Sequence, residues 1–123
     1  MVRIFLNFTD KIFESDKAFR GINLKVGKIL SEHKARGGMG ITFGDGALLR
    51  ELNKKYRNKN KTTDVLSFNL GDKKNIMGDV YISVPAAKRQ AKEYNISLKE
   101  ELLRLAIHGT LHVLGYTHKE MGV

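Results

Sequence analysis

Three histidines near the end of the chain have the side chains and the spacing of a metal site. His108, His112 and His118 lie within eleven residues, and the first two are four residues apart. On a helix this spacing puts both imidazoles on one face, one turn apart. Three neutral imidazoles with one open coordination position are the ligand set of a catalytic zinc site, whereas structural zinc sites usually have four protein ligands. The chain has no cysteine, so a transition-metal site has to use histidine and carboxylate.

The alternative is a set of helix-surface histidines that bind no metal. Apolar residues around the motif indicate instead that the helix is largely buried, namely Leu103, Ile107, Leu111 and Leu114. Two buried imidazoles on one face need partners, and one metal ion supplies a partner for both. Gly115 is placed to end the helix in a left-handed conformation, after which the chain can bring His118 back toward the pair. We therefore predict one zinc ion per chain on the three histidines.

The spacing H-x-x-x-H-x-x-G-x-x-H matches the metzincin protease motif except at one position. Metzincins carry a glutamate directly after the first histidine, and this glutamate is the general base that activates water. Here that position is Gly109. The zinc-binding half of the motif is present without its peptidase half, so the pattern argues against a peptidase.

Several segments together resemble the YbeY family, the bacterial endoribonucleases of ribosomal RNA maturation. The histidine signature is H-G-x-L-H-x-L-G-Y-x-H, from His108 to His118. The supporting segments precede it in the expected order: Leu52–Arg57, Thr63–Phe68, Met77–Val80, and Glu101 seven residues before the first ligand. The resemblance runs from about residue 45 to 118. The sequence departs from the family at Thr117, where an aspartate is usual, and by stopping at Val123, which suggests that a terminal helix over the site is missing or shortened.

The resemblance implies a zincin-like α+β fold, zinc on the three histidines, and Arg57 facing the metal across a basic cleft. It implies a zinc-dependent single-strand endoribonuclease that acts in 3′-end maturation of the small-subunit ribosomal RNA and in ribosome quality control. The implied partners are ribosomal RNA and the small ribosomal subunit, and neither DNA nor a membrane. Two alternatives stay open: a ribosome assembly factor with a structural zinc that cuts no bond, and a metal hydrolase of another substrate.

Phosphodiester hydrolysis also needs cations, and a basic segment before the Thr63–Phe68 strand supplies candidates. We predict that Arg57 is catalytic, since a guanidinium binds phosphate oxygens in a forked geometry. The predicted RNA-binding residues are Lys54, Lys55, Arg57, Lys59 and Lys61. The competing interpretation is a solvated loop with a surface arginine at a helix end. Glu101 lies on the helical face of His108 and either supports a metal ligand or is a first-turn acid that favours the helix dipole.

The charge balance of the chain points to a polyanionic partner. The 22 Lys+Arg exceed the 13 Asp+Glu and give a net charge of +9. Such a field concentrates nucleic acid near the protein, although it also aids solubility. The chain of 123 residues has the size of one domain, which we assign to residues 1–123. No apolar run reaches membrane-spanning length and the start does not read as a signal peptide, so we expect a cytoplasmic protein.

The elements that must position these residues can be read from periodicity and capping signals. We predict the order β-α-β-α-β-β-α-α, with one mixed sheet of about four strands and helices packed on it. The predicted strands are Val2–Phe8, Ile41–Phe43, Thr63–Phe68 and Asp79–Val84, with a turn at Arg36–Gly40. The predicted helices run from about Glu14 to His33, from Gly46 to Tyr56 after an Asp45 cap, from Pro85 to Tyr94, and from a Ser97–Glu100 capping box to Val113. His33 lies in a polar stretch, which indicates an exposed side chain.

Overall fold

The computed structural model describes residues 2–10, 16–58 and 63–116. Its elements are β1 (Val2–Phe8), a 3-10 turn (Lys17–Phe19), α1 (Ile22–Glu32), β2 (Arg36–Gly44), α2 (Gly46–Arg57), β3 (Val65–Asn69), β4 (Asn75–Ser83), α3 (Val84–Tyr94) and α4 (Leu98–Val113). The predicted α+β class and the predicted order of helices and strands are confirmed. No helix within the described ranges is long and apolar enough to cross a membrane.

The four described strands form one mixed sheet in the order β1-β2-β4-β3. β1 pairs with β2 and β2 with β4 in parallel, while β3 pairs antiparallel with β4. The helix α1 joins the parallel strands β1 and β2, a short turn joins the antiparallel strands β3 and β4, and α2 together with β3 connects β2 to β4. The predicted hairpin and the predicted parallel pair of β1 with β2 are confirmed. A parallel pair of β2 with β3, which are also separated by a helix, is wrong, because β4 lies between them. Of the described strands, β3 lies at the edge on the β4 side.

The core lies between one face of the sheet and the helices α1 and α4. Alternate residues of β2 and β4 point into it, among them Ile41, Phe43 and Val80, which are fully buried. The facing helices contribute side chains at helical spacing: Ile22, Val26, Leu30, Leu102, Leu105 and Ala106. The helix α4, which carries the histidines, thus packs its apolar side directly on the sheet.

The glycine-rich segment Arg36–Gly40 is the first half of β2, so its prediction as a turn is wrong. The segment pairs with β1 on one side and with β4 on the other. Met39 is buried and continues the alternation of Ile41 and Phe43, which extends the strand toward its start. Gly37 has φ +105, and a side chain there would collide with the carbonyl oxygen of Ile76. The glycines therefore allow close strand pairing.

The first helix begins later than predicted, at Ile22. The side chain of Asp16 accepts a hydrogen bond from the Ala18 amide and caps the short 3-10 turn. Gly21 then adopts a left-handed conformation with φ +83, which separates the 3-10 turn from α1. Glu14, where the helix was predicted to start, lies outside the described residues. The apolar periodicity from Ala18 onward spans two elements because both bury their apolar sides in the same core.

The remaining boundaries agree with the prediction to within a few residues. Asp45 caps α2 by accepting from the Leu48 amide at 2.8 Å, as predicted. β4 starts four residues earlier than predicted, at Asn75, because it pairs with β2 along its whole length. It ends at Ser83, whose hydroxyl accepts from the Ala86 amide and starts α3 one residue before the proline.

Candidate metal centre

The ends of α4 are fixed by capping interactions that the sequence predicts. The Ser97 hydroxyl accepts from the Glu100 amide at 3.0 Å at the start of the helix. At its end Gly115 has φ +95 and donates its amide to the His112 carbonyl at 2.9 Å. Tyr116 donates its amide to the Leu111 carbonyl at 3.0 Å, which completes a Schellman motif. These two hydrogen bonds end the helix at Gly115, as predicted.

His108 and His112 project from one flank of α4 with their ring centroids 4.9 Å apart. Two imidazoles on one tetrahedral zinc ion have centroids roughly 5 Å apart, given Zn–N bonds of ~2.0–2.1 Å. The pair therefore fits a metal of this kind. Both side chains are half-buried, which corrects the expectation of two fully buried imidazoles. Of the predicted apolar flanks, Leu114 is buried, whereas Leu103, Ile107 and Leu111 are half-buried. The apolar side chains that α4 itself buries are Leu102, Leu105, Ala106 and Val113.

The histidine-bearing part of α4 is held against the edge strand β3 by two side chains of that strand. The Ser67 hydroxyl donates to the Gly109 carbonyl at 3.0 Å, and the Asn69 amide group donates to the Val113 carbonyl at 3.1 Å. Ser67 and Asn69 are two residues apart, so both face the helix. Sequence analysis missed both hydrogen bonds, because a polar residue in a strand does not reveal which helix carbonyl it binds.

Gly109 lies on the side of α4 that packs on the sheet. A Cβ atom at this position would be 2.5 Å from the Val80 Cγ1 and 3.2 Å from the Ser67 hydroxyl. The position that carries the general base in metzincins therefore faces the sheet here and is buried. The structure leaves no room for a glutamate, in agreement with the sequence argument against a peptidase.

The third predicted ligand, His118, lies outside the described residues, and so does Thr117. Among residues 2–10, 16–58 and 63–116, no group of three potential metal ligands is present. The three-histidine site stays a prediction, of which the structure describes two members.

Glu101 is fully buried, and both of its carboxylate oxygens accept from Arg104, each at 2.7 Å. Hydrogen bonding to Glu101 raises the pKa of Arg104 above its ordinary value. Arg104 is partly exposed, lies one helical turn before His108, and was missed by sequence analysis. Its signal was the spacing of three residues from Glu101, which is typical of an ion pair on a helix. The predicted support of a metal ligand by Glu101 stays a prediction.

The exposed side chains of Lys54, Lys55 and Arg57 lie in the last turn of α2. This turn lies against β3, since the Tyr56 and Phe68 rings are 5.3 Å apart. Ser67 and Phe68 are consecutive and point to opposite sides of the sheet. α2 and α4 therefore flank the same edge strand from its two faces. Lys59 and Lys61, the other predicted RNA contacts, lie outside the described residues.

Two aspartates near this edge have different environments. Asp64 accepts from the Gln90 side chain at 3.1 Å and from the Ser83 amide through its own carbonyl, so it joins β3 to α3 and β4. Asp79 lies on β4 opposite Phe68 of β3, and partial burial raises the pKa of its carboxyl above the ordinary value. Asp64 therefore has a structural role.

Three comparisons relate the chain to known proteins. The model of a family described as Endoribonuclease YbeY matches residues 7–122. Endoribonuclease YbeY of Sulfurihydrogenibium sp. is 50% identical over 97 residues, which cover 75% of this chain and 64% of that protein. Endoribonuclease YbeY of Acholeplasma laidlawii is 40% identical over 114 residues, which cover 92% and 81%. The solution structure of TM1509 from Thermotoga maritima aligns with a TM-score of 0.65 and 29% identity over 96% of this chain and 75% of that one. The matched segment is thus shorter than two thirds of the Sulfurihydrogenibium relative.

Proposed function

The chain belongs to the YbeY family, and from this premise we propose that it is a metal-dependent endoribonuclease that cleaves single-stranded RNA. The observation that carries the proposal is the pair of half-buried imidazoles, 4.9 Å apart, beside the edge strand β3. His108 and His112, joined by His118, would hold one zinc ion. When bound, zinc supplies a Lewis acid and lowers the pKa of water to ~7.

The cationic side chains near β3 would bind and stabilise the phosphate of the substrate. During phosphodiester hydrolysis negative charge develops on the phosphoryl oxygens, and a guanidinium stabilises this charge through two parallel hydrogen bonds. Arg57 suits this role because it is exposed at the end of α2, which lies against the same strand as the histidine helix. Lys54 and Lys55 in the same turn would bind neighbouring phosphates and hold the strand of RNA.

The finer assignment is also a proposal. We infer that the substrate is the 3′ end of the precursor of small-subunit ribosomal RNA, that the small ribosomal subunit is the partner, and that the protein acts in the cytoplasm in ribosome maturation and quality control. Family membership and the net charge of +9 support an RNA substrate. Cleavage of that precursor near the mature 3′ end, with slower cleavage of an unrelated single-stranded RNA of equal length, would support this assignment. Equal rates on both RNAs would contradict it.

The test of the nuclease proposal is an RNA cleavage assay on the purified chain and its Arg57 variants. Arg57→Ala should retain zinc and fold and bind RNA modestly less well. It should cleave about 10²–10³-fold more slowly, because the hydrogen bonds from the guanidinium to the phosphate strengthen only on the way to the transition state. Arg57→Lys should recover part of the rate, since it restores the charge without the forked geometry.

Arg50→Ala is the matched control, because it removes an exposed arginine from the same helix two turns earlier. Its cleavage rate should stay close to wild type. If wild type and Arg57→Ala cleave equally slowly and bind RNA equally well, the nuclease proposal fails. The alternative of an assembly factor with a structural zinc would then replace it.

A further inference from the structure

The face of the sheet that points away from α4 carries a trough above β2. Gly38 and Gly40 leave its floor without side chains, because they alternate with Met39 and Ile41, which point into the core. The trough has a volume of about 750 Å³, which is the size of a small-ligand pocket. We call it the β2 trough. Side chains of the two neighbouring strands form its walls: Phe5 and Asn7 of β1, and Met77 and Asp79 of β4.

The walls of the β2 trough expose two large apolar side chains. Phe5 is 57% exposed and Met77 is 63% exposed. They lie on opposite sides of β2, since Phe5 pairs with Gly40 and Met77 with Gly38. Two strand spacings of ~4.8 Å separate β1 from β4. A planar ring in van der Waals contact with both walls needs about 7–8 Å between their atoms. The trough therefore admits one flat ring that stands on its edge.

Asp79 and Asn7 converge over Gly40 and make one part of the trough polar. A Cβ atom on Gly40 would lie 2.9 Å from the Asp79 Oδ1 and 3.6 Å from the Asn7 Nδ2. Within the described part of the chain, neither side chain forms a hydrogen bond or an ion pair. The pair thus offers a carboxylate acceptor and an amide donor to a ligand that enters the trough.

Among the bases of RNA, guanine matches this polar pair best. A carboxylate can only accept, and guanine presents two adjacent N–H donors, at N1 and at the exocyclic N2, beside the O6 acceptor. Adenine and cytosine each place a ring-nitrogen acceptor beside their amino donor. The N3–H donor of uracil lies between two carbonyl groups. These acceptors would repel the carboxylate of Asp79.

We propose that the β2 trough binds one guanine base of a single-stranded RNA. Phe5 and Met77 contact the two faces of the ring. The Asp79 carboxylate accepts from the N1 and N2 donors, and Asn7 donates to O6. This inference rests on the proposed action on single-stranded RNA and adds a base preference to it.

The β2 trough is continuous with the basic end of α2. Phe68, the β3 residue opposite Asp79, packs on the ring of Tyr56, which precedes Arg57. On the other side of the trough, Arg3 is exposed and shares a face of β1 with Phe5. Cations therefore lie on both sides of the trough, where the phosphates that flank a bound base would need them.

The test measures how tightly the full-length chain binds uridine octamers that carry one central guanosine or one central inosine. Inosine lacks only the exocyclic amino group, so the guanosine octamer should bind about three- to tenfold more tightly, the size expected for one net hydrogen bond. Asp79→Asn should abolish this preference, because asparagine replaces one acceptor with a donor. Phe5→Leu should weaken the binding of both octamers by about fivefold or more, because it removes the stacking surface.

Asp72→Asn is the matched control, since it removes the same charge from an exposed aspartate just before β4. The asparagine keeps the Oδ1 acceptor for the Lys74 and Asn75 amides. Loss of charge alone changes the affinity for both octamers equally, so this variant should keep the preference for guanosine.

Gly40→Ala tests the same site without changing a charge. Its methyl group would fill the floor of the trough beside the Asp79 side chain, which can move aside. The variant should therefore melt close to the wild-type temperature and lose the preference. Equal binding of both octamers by wild type, or an unchanged preference in Asp79→Asn and Gly40→Ala, would overturn the proposal. A chain that prefers guanosine but cuts no RNA would contradict the nuclease proposal alone.

Discussion

At position 109 the absence of a side chain determines how closely α4 approaches the sheet. Gly109 lets the helix backbone contact Val80, and its carbonyl accepts from Ser67. The same residue removes the general base that the histidine spacing would otherwise suggest. Sequence analysis identified the chemical meaning of this glycine from the motif. Its packing role required knowledge of which strand lies below the helix.

The packing role predicts opposite effects of alanine at two helical glycines. Gly109→Ala should lower the free energy of unfolding by about 1–3 kcal/mol, because a Cβ 2.5 Å from the buried Val80 methyl forces the core to shift. Gly27→Ala in α1 is the control, since its Cβ would make an ordinary contact at 3.5 Å with Ile4. That change should stabilise by about 0.5–1 kcal/mol through helix propensity. Chemical denaturation measures both, and equal effects would contradict the assigned packing.

At the scale of elements, the helices α2, α3 and α4 were predicted well, whereas the start of α1 and the first half of β2 were not. Helix ends could be predicted because local hydrogen bonds cap them at Asp45, Ser97 and Gly115. The structure contains each of these caps. Glycines at positions 37, 38 and 40 have the local signature of a turn, but pairing with β1 and β4 overrides it. Such pairing is long-range, so it is not visible in the segment itself. The hydrogen bond between the exposed His33 and Tyr116, which are 83 positions apart, escaped prediction for the same reason.

Two adjacent glycines of β2 provide a test of the strand assignment. Gly37→Ala should destabilise by at least about 1–2 kcal/mol, because φ is +105 and the new methyl would collide with the Ile76 carbonyl oxygen. Gly38→Ala should be close to neutral, since the nearest atom to its Cβ is the Arg3 carbonyl oxygen at 3.8 Å. Thermal or urea unfolding of the two variants would show the contrast. Similar stability of both would indicate that Gly37 does not pair as described.

At the scale of the whole molecule, topology brings distant basic residues and the two described histidines of the proposed metal centre to one edge of the sheet. β4 lies between β2 and β3, so β3 becomes the edge strand that both α2 and α4 contact. Connectivity predicted the parallel pair of β1 with β2 and the hairpin, whereas the insertion of β4 between β2 and β3 came from the structure. The net charge of +9 is a property of the whole chain and does not say which surface binds RNA.

The salt dependence of RNA affinity distinguishes binding at the end of α2 near β3 from binding through the net charge of the whole chain. Changing Lys54 and Lys55 to glutamine should reduce the slope of log affinity against log salt by about 0.7 for each phosphate of single-stranded RNA that the variant no longer neutralises. The control changes Lys25 and Lys28 to glutamine on α1, which removes the same charge from two other exposed positions. Its slope should change little. Equal slopes for both double variants would mean that α2 does not form the RNA-binding surface.

The measurement that tests the proposed metal centre most directly is the zinc content of the purified full-length chain and of its histidine variants. Wild type should hold about one zinc ion per chain, whereas His108→Ala and His112→Ala should each lose it. Both variants should also melt at a lower temperature than zinc-loaded wild type, because a metal that binds only the folded state stabilises it. Full retention of zinc by both variants would contradict the proposed metal centre.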